Sequence, residues 1–295
     1  MLRKLAVALV APLIAACANE APANEISSDA APRAAAVAAL QAAPDAVAEV
    51  GSGRAEILVE LDLPEGPIQV RATAAFSGSR MAMEMDLGPM IARLPEMGGE
   101  HLPPGLDEPV RIVTDGETVY VRMPMLDLVT GTAGWLSATP DDLGQSAAAI
   151  GLAGAAPSPA QVLDVLRSIA DDVVEHGPDE VRGVPTTRYT ATIDLRDALD
   201  ALPAGQRDLM ASQLDAMAGS GARSLPIEVR VDDDGLPRRM RVVLDGLGTS
   251  MGVPSAATMT IEMFDYGDAI DVAIPPASEV TPLRDVMPSA AGGFR

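Results

Sequence analysis

Two stretches decide the fold: Ala55-Glu56-Ile57-Leu58-Val59-Glu60-Leu61-Asp62 and Arg80-Met81-Ala82-Met83-Glu84-Met85-Asp86-Leu87. In the first, Ala55, Ile57, Val59 and Leu61 alternate with Glu56, Glu60 and Asp62; in the second, Met81, Met83, Met85 and Leu87 alternate with Arg80, Glu84 and Asp86. Successive side chains of an extended chain point to opposite faces, so a period of two gives a strand with one dry face and one wet face. Between them, after the turn-forming Pro64-Glu65-Gly66-Pro67, residues 68–76 repeat the pattern with Ile68, Val70, Ala72, Ala74 and Phe76 against Gln69, Arg71 and Thr73. Three consecutive strands with short turns make an antiparallel meander.

Working outward, the period returns at residues 110–114 and 118–123 around Asp115-Gly116, which suits a tight hairpin turn. Strands are expected at 172–175 and 187–194, linked through His176-Gly177-Pro178 and Val181-Arg182-Gly183. The last third reads as strands around Leu225 to Val231, Met240 to Leu244 and Met259 to Met263, with a turn at Asp232 to Gly235. Residues 33–49 are alanine-rich, with Val37, Leu40 and Val47 at near-helical spacing, and Pro44 divides them into one or two helical pieces. Residues 159–170 and 195–217 also read as helical. Trp135 falls in a glycine-bounded segment with no assigned element, and residues 88–109 form a proline- and glycine-rich loop with one short helix. The total is eight to ten strands and three or four helices in one α+β domain.

At the amino terminus, Arg3 and Lys4 precede an uncharged apolar run from Leu5 to Ala16. It is shorter than the roughly 20 residues a membrane-spanning helix needs, and its layout is that of a secretory signal. Ile14-Ala15-Ala16-Cys17 resembles the bacterial lipobox, whose cysteine receives a diacylglyceryl group. An ordinary signal peptide followed by a chance cysteine is the plainer alternative. Cys17 is the chain's single cysteine, which excludes an internal disulfide. The organisation read from the sequence is a signal at 1–16, the lipidated Cys17 with a flexible tether at 17–32, a folded domain at 33–280 and a tail at 281–295. The protein is expected on the extracytoplasmic side of the cell membrane, held by its lipid anchor.

The chain carries a net charge of −21, which becomes −23 once Arg3 and Lys4 are removed with the signal. Such a surface repels nucleic acid and anionic headgroups, so nucleic-acid partners are excluded as a class. Aromatic residues make up only 2% of the chain against 15 methionines, so the core must be filled by Met and aliphatic side chains. Methionine packs irregular cores and equally suits surfaces that meet varied apolar ligands, and composition does not choose between the two. Asp232-Asp233-Asp234-Gly235 has the opening of a calcium loop, but Val243 stands where the closing acid should be. His101 and His176, the only histidines, lie beside Gly and Pro and belong to no nucleophile or metal motif. No catalytic residue, metal or cofactor is therefore assigned, and an enzyme is not expected.

Several of these patterns together resemble the LppX/LprA/LprF/LprG lipoproteins of actinobacteria, whose fold is similar to LolA and LolB. The stretches that carry the resemblance are residues 110–123, Val181-Arg182-Gly183-Val184-Pro185-Thr186-Thr187-Arg188-Tyr189, residues 225–238 with Asp234-Gly235-Leu236-Pro237, and Phe264-Asp265-Tyr266-Gly267 followed by Ile274-Pro275-Pro276. The resemblance implies a strongly curved antiparallel sheet, a half-open barrel, with helices on its concave side and an apolar cavity that takes the acyl chains of a lipid or glycolipid for transport across the envelope. The residues assigned to that cavity are Ile57, Val59, Val70, Ala72, Met81, Met83, Met85, Val121, Met123, Val229, Met240 and Ile261. A membrane transporter is a possible partner on this reading. The rival is a tethered interaction or signalling module that presents its sheet or its 88–109 loop to a protein.

Overall fold

The computed structural model describes residues 30–63, 66–92, 108–123, 134–139, 173–194, 224–245 and 256–286. The expected signal, Cys17 and most of the tether lie outside these residues, as do the helices expected at 159–170 and 195–217 and most of the 88–109 loop.

The described chain forms α1 (Ala30–Val50), β1 (Ser52–Leu63), β2 (Gly66–Ser77), β3 (Arg80–Asp86), the single turn α2 (Gly88–Ile91), β4 (Val110–Thr114), β5 (Val119–Arg122) and β6 (Trp135–Ala138). It continues with β7 (Val174–Val181), β8 (Val184–Asp194), β9 (Ser224–Val231), β10 (Pro237–Asp245), β11 (Ala256–Phe264), a 3-10 turn at Ala277–Glu279, β12 (Val280–Pro282) and α3 (Leu283–Val286). All twelve strands join one curved, unclosed sheet in the order β12-β6-β5-β4-β3-β2-β1-β11-β10-β9-β8-β7. Two antiparallel meanders, β1 to β6 and β7 to β11, meet where β1 pairs with β11. Among the described strands, only β12 is parallel to its neighbour, β6.

Several expectations change. There are twelve strands among the described residues, more than the eight to ten read from the sequence. Four-residue β6 and three-residue β12 are too short to show a period of two. His176-Gly177-Pro178 does not end a strand. Strand β7 runs through it by a register shift between Glu175 and Gly177, and the turn is Arg182-Gly183, both at positive φ (53° and 81°) as a two-residue hairpin turn requires. Pro44 does not divide α1, which is continuous across it and already begins at Ala30, inside the expected tether. Proline costs this helix a backbone hydrogen bond, and burial of Ala36, Leu40, Ala43 and Val47 along one stripe holds it together. Ordered structure also extends past residue 280, because β12 pairs with β6 and Leu283 of α3 is buried against Leu136 and Ala138.

Both edges of the open sheet are blunted. Strand β7 carries the register shift, Pro178 and the acids Glu175, Asp179 and Glu180, while β12 is short and ends in Pro282. These are the usual devices that prevent another chain from adding a strand.

Candidate functional site

Register turns the alternation of single strands into one surface. Reading across the ladders, Val110, Met85, Ala72, Ile57, Ile261, Met240, Val229 and Tyr189 stand directly opposite one another through eight strands, β4 to β8 by way of β1 and β11. The adjacent row is Val70, Val59, Met259, Val242 and Ile227. On its other side lie Val121, Ile112, Met83, Ala74, Ala55 and Met263. All but Val70, which is buried opposite Val59, belong to one hydrophobic cluster that also takes in Ala36, Leu40, Ala43 and Val47 of α1. The assigned residues Ile57, Val59, Val70, Ala72, Met83, Met85, Val121, Val229, Met240 and Ile261 therefore share this dry face, and Met123, just beyond β5, packs against the same cluster. Met81 has the same parity, opposite Phe76 on β2.

The face is not uniformly sealed. Where α1 hands over to β1, Val47, Ala55, Ala74, Met83 and Met263 are all buried, and Met83 retains only 3% of its accessible surface. Toward the far end of β1, Val59, Leu61, Met85, Leu87 and Met259 are only half-buried on this side of the sheet, interspersed with the buried Ile68, Val70 and Ala257. Sequence reasoning missed Leu61, Leu87 and Met259 as members of this looser patch. Their parity was visible, but the pairing that sets them beside Val59 and Met85 was not.

Gly53 shows how closely the sealed end is packed: a Cβ there would lie 2.7 Å from Phe76 Cζ and 3.0 Å from Tyr266 Cδ1. The two rings meet edge to face, 6.4 Å between centroids. The Tyr266 hydroxyl donates to the Pro237 carbonyl at 2.7 Å, and burial pushes its pKa well above the ordinary phenol value.

The opposite face is a ladder of charge. Arg111, Glu84, Thr73, Glu56, Glu262, Arg239, Arg230 and Arg188 form one row. Glu56 and Glu262 are direct cross-strand partners and would repel. Arg182, from the β7–β8 turn, donates to both, and its guanidinium lies 4.1 Å above the Phe264 ring. The tip of this hairpin thus bends across the polar face of the sheet. Burial by itself would raise the pKa of Glu262; hydrogen bonds from Arg182 and Arg239 outweigh it and hold the carboxyl below its usual range. Further along, Arg230 bridges Asp179 (2.7 Å) and Glu228 (2.6 Å).

Asp232 is a turn lock. Its carboxylate accepts the Asp234 and Leu236 backbone N–H groups at 3.0 and 2.9 Å and Arg238 Nε at 2.6 Å, so it has the partners of a hairpin residue. Among the described residues, no three His, Cys, Asp or Glu side chains are grouped to hold a metal ion, and no helix is long and apolar enough to cross a membrane.

No family model and no curated protein matches this chain. Among solved structures it is similar to LprF from Mycobacterium bovis, at 15% identity over 82% of this chain and 97% of that one, with a TM-score of 0.41. It is similar to the Mycobacterium tuberculosis lipoprotein LppX at 13% identity, over 81% and 99% of the two chains, with a TM-score of 0.40. A LolA-superfamily protein from Nitrosomonas europaea follows at 9% identity, over 81% and 95%, with a TM-score of 0.31. LprF and LppX belong to the group that the sequence resembles.

Proposed function

We propose that this chain is an extracytoplasmic lipoprotein, anchored through Cys17, that holds the acyl chains of a lipid or glycolipid against the concave dry face of its sheet and carries them within the envelope. The observation that supports this reading is the uneven burial of that face. Aliphatic and methionine side chains that point inward yet keep accessible surface, Val59, Leu61, Met85, Leu87 and Met259, mark space beside them. A packed core leaves few voids larger than a water molecule, so accessible methionines on an interior face suit an apolar guest. Each methylene moved from water into such a site contributes about 0.8 kcal/mol. The mouth would lie at the Leu61 end of β1, while Ala36, Leu40, Ala43 and Val47 of α1 close part of the same cluster. Nothing in this role needs bond chemistry.

Native mass spectrometry tests the proposal. The chain with Cys17 replaced by Ser, stripped of lipid and incubated with phosphatidylethanolamine vesicles, is expected to carry one diacyl lipid of added mass. A protein that stays at its bare mass after exposure to these and to glycolipid-containing vesicles would sink the acyl-binding role.

A further inference from the structure

The polar face of the sheet carries a hollow of its own, of about 520 Å³, running from Phe264 on β11 across β1, β2, β3 and β4 to Trp135 on β6. Its origin is legible in the register. On the β8 to β11 side this face is filled by arginines and the bent β7–β8 hairpin, whereas between Arg54 and Val113 the opposing residues are Ala75 and Ala82, with Thr73 one row away. Small side chains flanked by long ones leave a trough. Its rim is made of two opposite charges on each side: Arg54 and Glu56 on β1, Glu84 and Arg111 on β3 and β4.

We propose that this hollow binds an uncharged polyhydroxylated ligand, a segment of neutral glycan. Three features of its lining select that chemistry. First, every rim charge is already matched: Arg111 with Glu84 at 2.8 Å, Arg54 with Asp265 at 3.5 Å, and Glu56 with Arg182. An anion would have to displace a carboxylate, while a hydroxyl can accept from a guanidinium and donate to its paired carboxylate without breaking the pair. Second, the hollow sits over the middle of the sheet, where backbone N–H and C=O groups are committed to the ladders. An extended peptide, which gains its affinity from main-chain hydrogen bonds at a sheet edge, finds none free here. Third, the wall is Trp135, whose broad face suits the C–H side of a sugar ring; the ring of Phe264 is already capped by Arg182. A saturated acyl chain is excluded by the charged rim. This site is on the opposite face from the acyl-binding surface and does not depend on it.

Trp135 is the only tryptophan in the chain, so its emission reports on this wall alone. The full chain is titrated with maltohexaose, cellohexaose and chitohexaose, and with sodium phosphate and hexaglutamate as anionic controls. At least one glycan is expected to give a saturable change in emission, and neither anion is. Calorimetry with that glycan should show Arg111→Ala and Ala82→Leu each weakening binding about tenfold, the loss of one charge-assisted contact in the first case and filling of the trough in the second. Melting curves establish that each variant is folded, and either variant alone decides the matter if the other is not. No response to any of the three glycans, a saturable response to phosphate or hexaglutamate in their place, or undiminished binding by a folded variant would overturn the proposal.

Discussion

Asp232 shows how much one carboxylate can organise. It closes the β9–β10 turn through two backbone N–H groups and fixes Arg238, whose guanidinium lies 5.0 Å from the centre of the Tyr266 ring. The Tyr266 hydroxyl then returns to Pro237, so a hairpin turn and the β11 exit are tied together. Replacing Asp232 with Ala leaves a mostly buried arginine without its carboxylate and two N–H groups without an acceptor. A loss of about 3 kcal/mol is expected in urea unfolding. Met85 carries the residue-scale test of the cavity. Met83 is sealed and an added ring there would only overpack, but Met85, its neighbour but one on β3, keeps accessible surface on the same face. Met85→Trp should leave the melting temperature of the lipid-free protein nearly unchanged and reduce bound lipid. In a filled core the same change costs about 1 to 3 kcal/mol, and that loss would count against free space at this position.

Among the elements, the β7–β8 hairpin does more than pair with β9. Its tip delivers Arg182 between Glu56 and Glu262, turning a repulsive cross-strand pair into a bridged one and linking the first and last strands of the core to the outer edge of the sheet. The sign of the resulting pH dependence follows from the lowered pKa of Glu262. A carboxyl whose folded pKa lies below its unfolded value contributes stability that is present above the unfolded value and is lost as pH falls through the folded one. Relative to wild type, Glu262→Gln should therefore be less stable at neutral pH, with the difference shrinking on acidification through and below the ordinary glutamate range. Thermal melts of both proteins from neutral to acidic pH would read this directly, and parallel curves would show that the pair contributes nothing. Helix α1 illustrates the opposite balance, where the stripe from Ala36 to Val47 is buried deeply enough to carry Pro44 within a continuous helix.

On the scale of the whole molecule, one long sheet separates two chemistries. The dry side gathers α1 and the inward rows of both meanders into one cluster, and the wet side sets arginines among acids. Because a carrier on a tether can approach or leave the bilayer, the anchor belongs to the proposed function as much as the cavity does. Replacing Cys17 with Ser should move the protein from the membrane fraction to the soluble extracytoplasmic fraction. Continued tight membrane association of the exported variant would show that something other than a lipid on Cys17 holds it.

Much of this was legible in the chain itself. A period of two is a local property, so the strands from Ala55 to Leu87, the parity of Ile57, Val59, Val70, Ala72 and the methionines, and the turns at Asp115-Gly116 and Asp232 to Gly235 are all present in the sequence. Binary patterning fixes which face of a strand is dry because burying a carboxylate in an apolar interior costs more than any local preference returns. What lay beyond it is everything that depends on distance along the chain. The partnership of β1 with β11 joins residues some two hundred positions apart, the short strands β6 and β12 are held by their neighbours, and β7 passes through Gly177 and Pro178 because β8 pairs with it on both sides of the shift. The looser patch around Met259 and Leu61 and the trough beside Trp135 exist only once those pairings are made. Side-chain parity is decided within a strand, but whether neighbouring residues leave space between them is decided by which strands come to lie side by side.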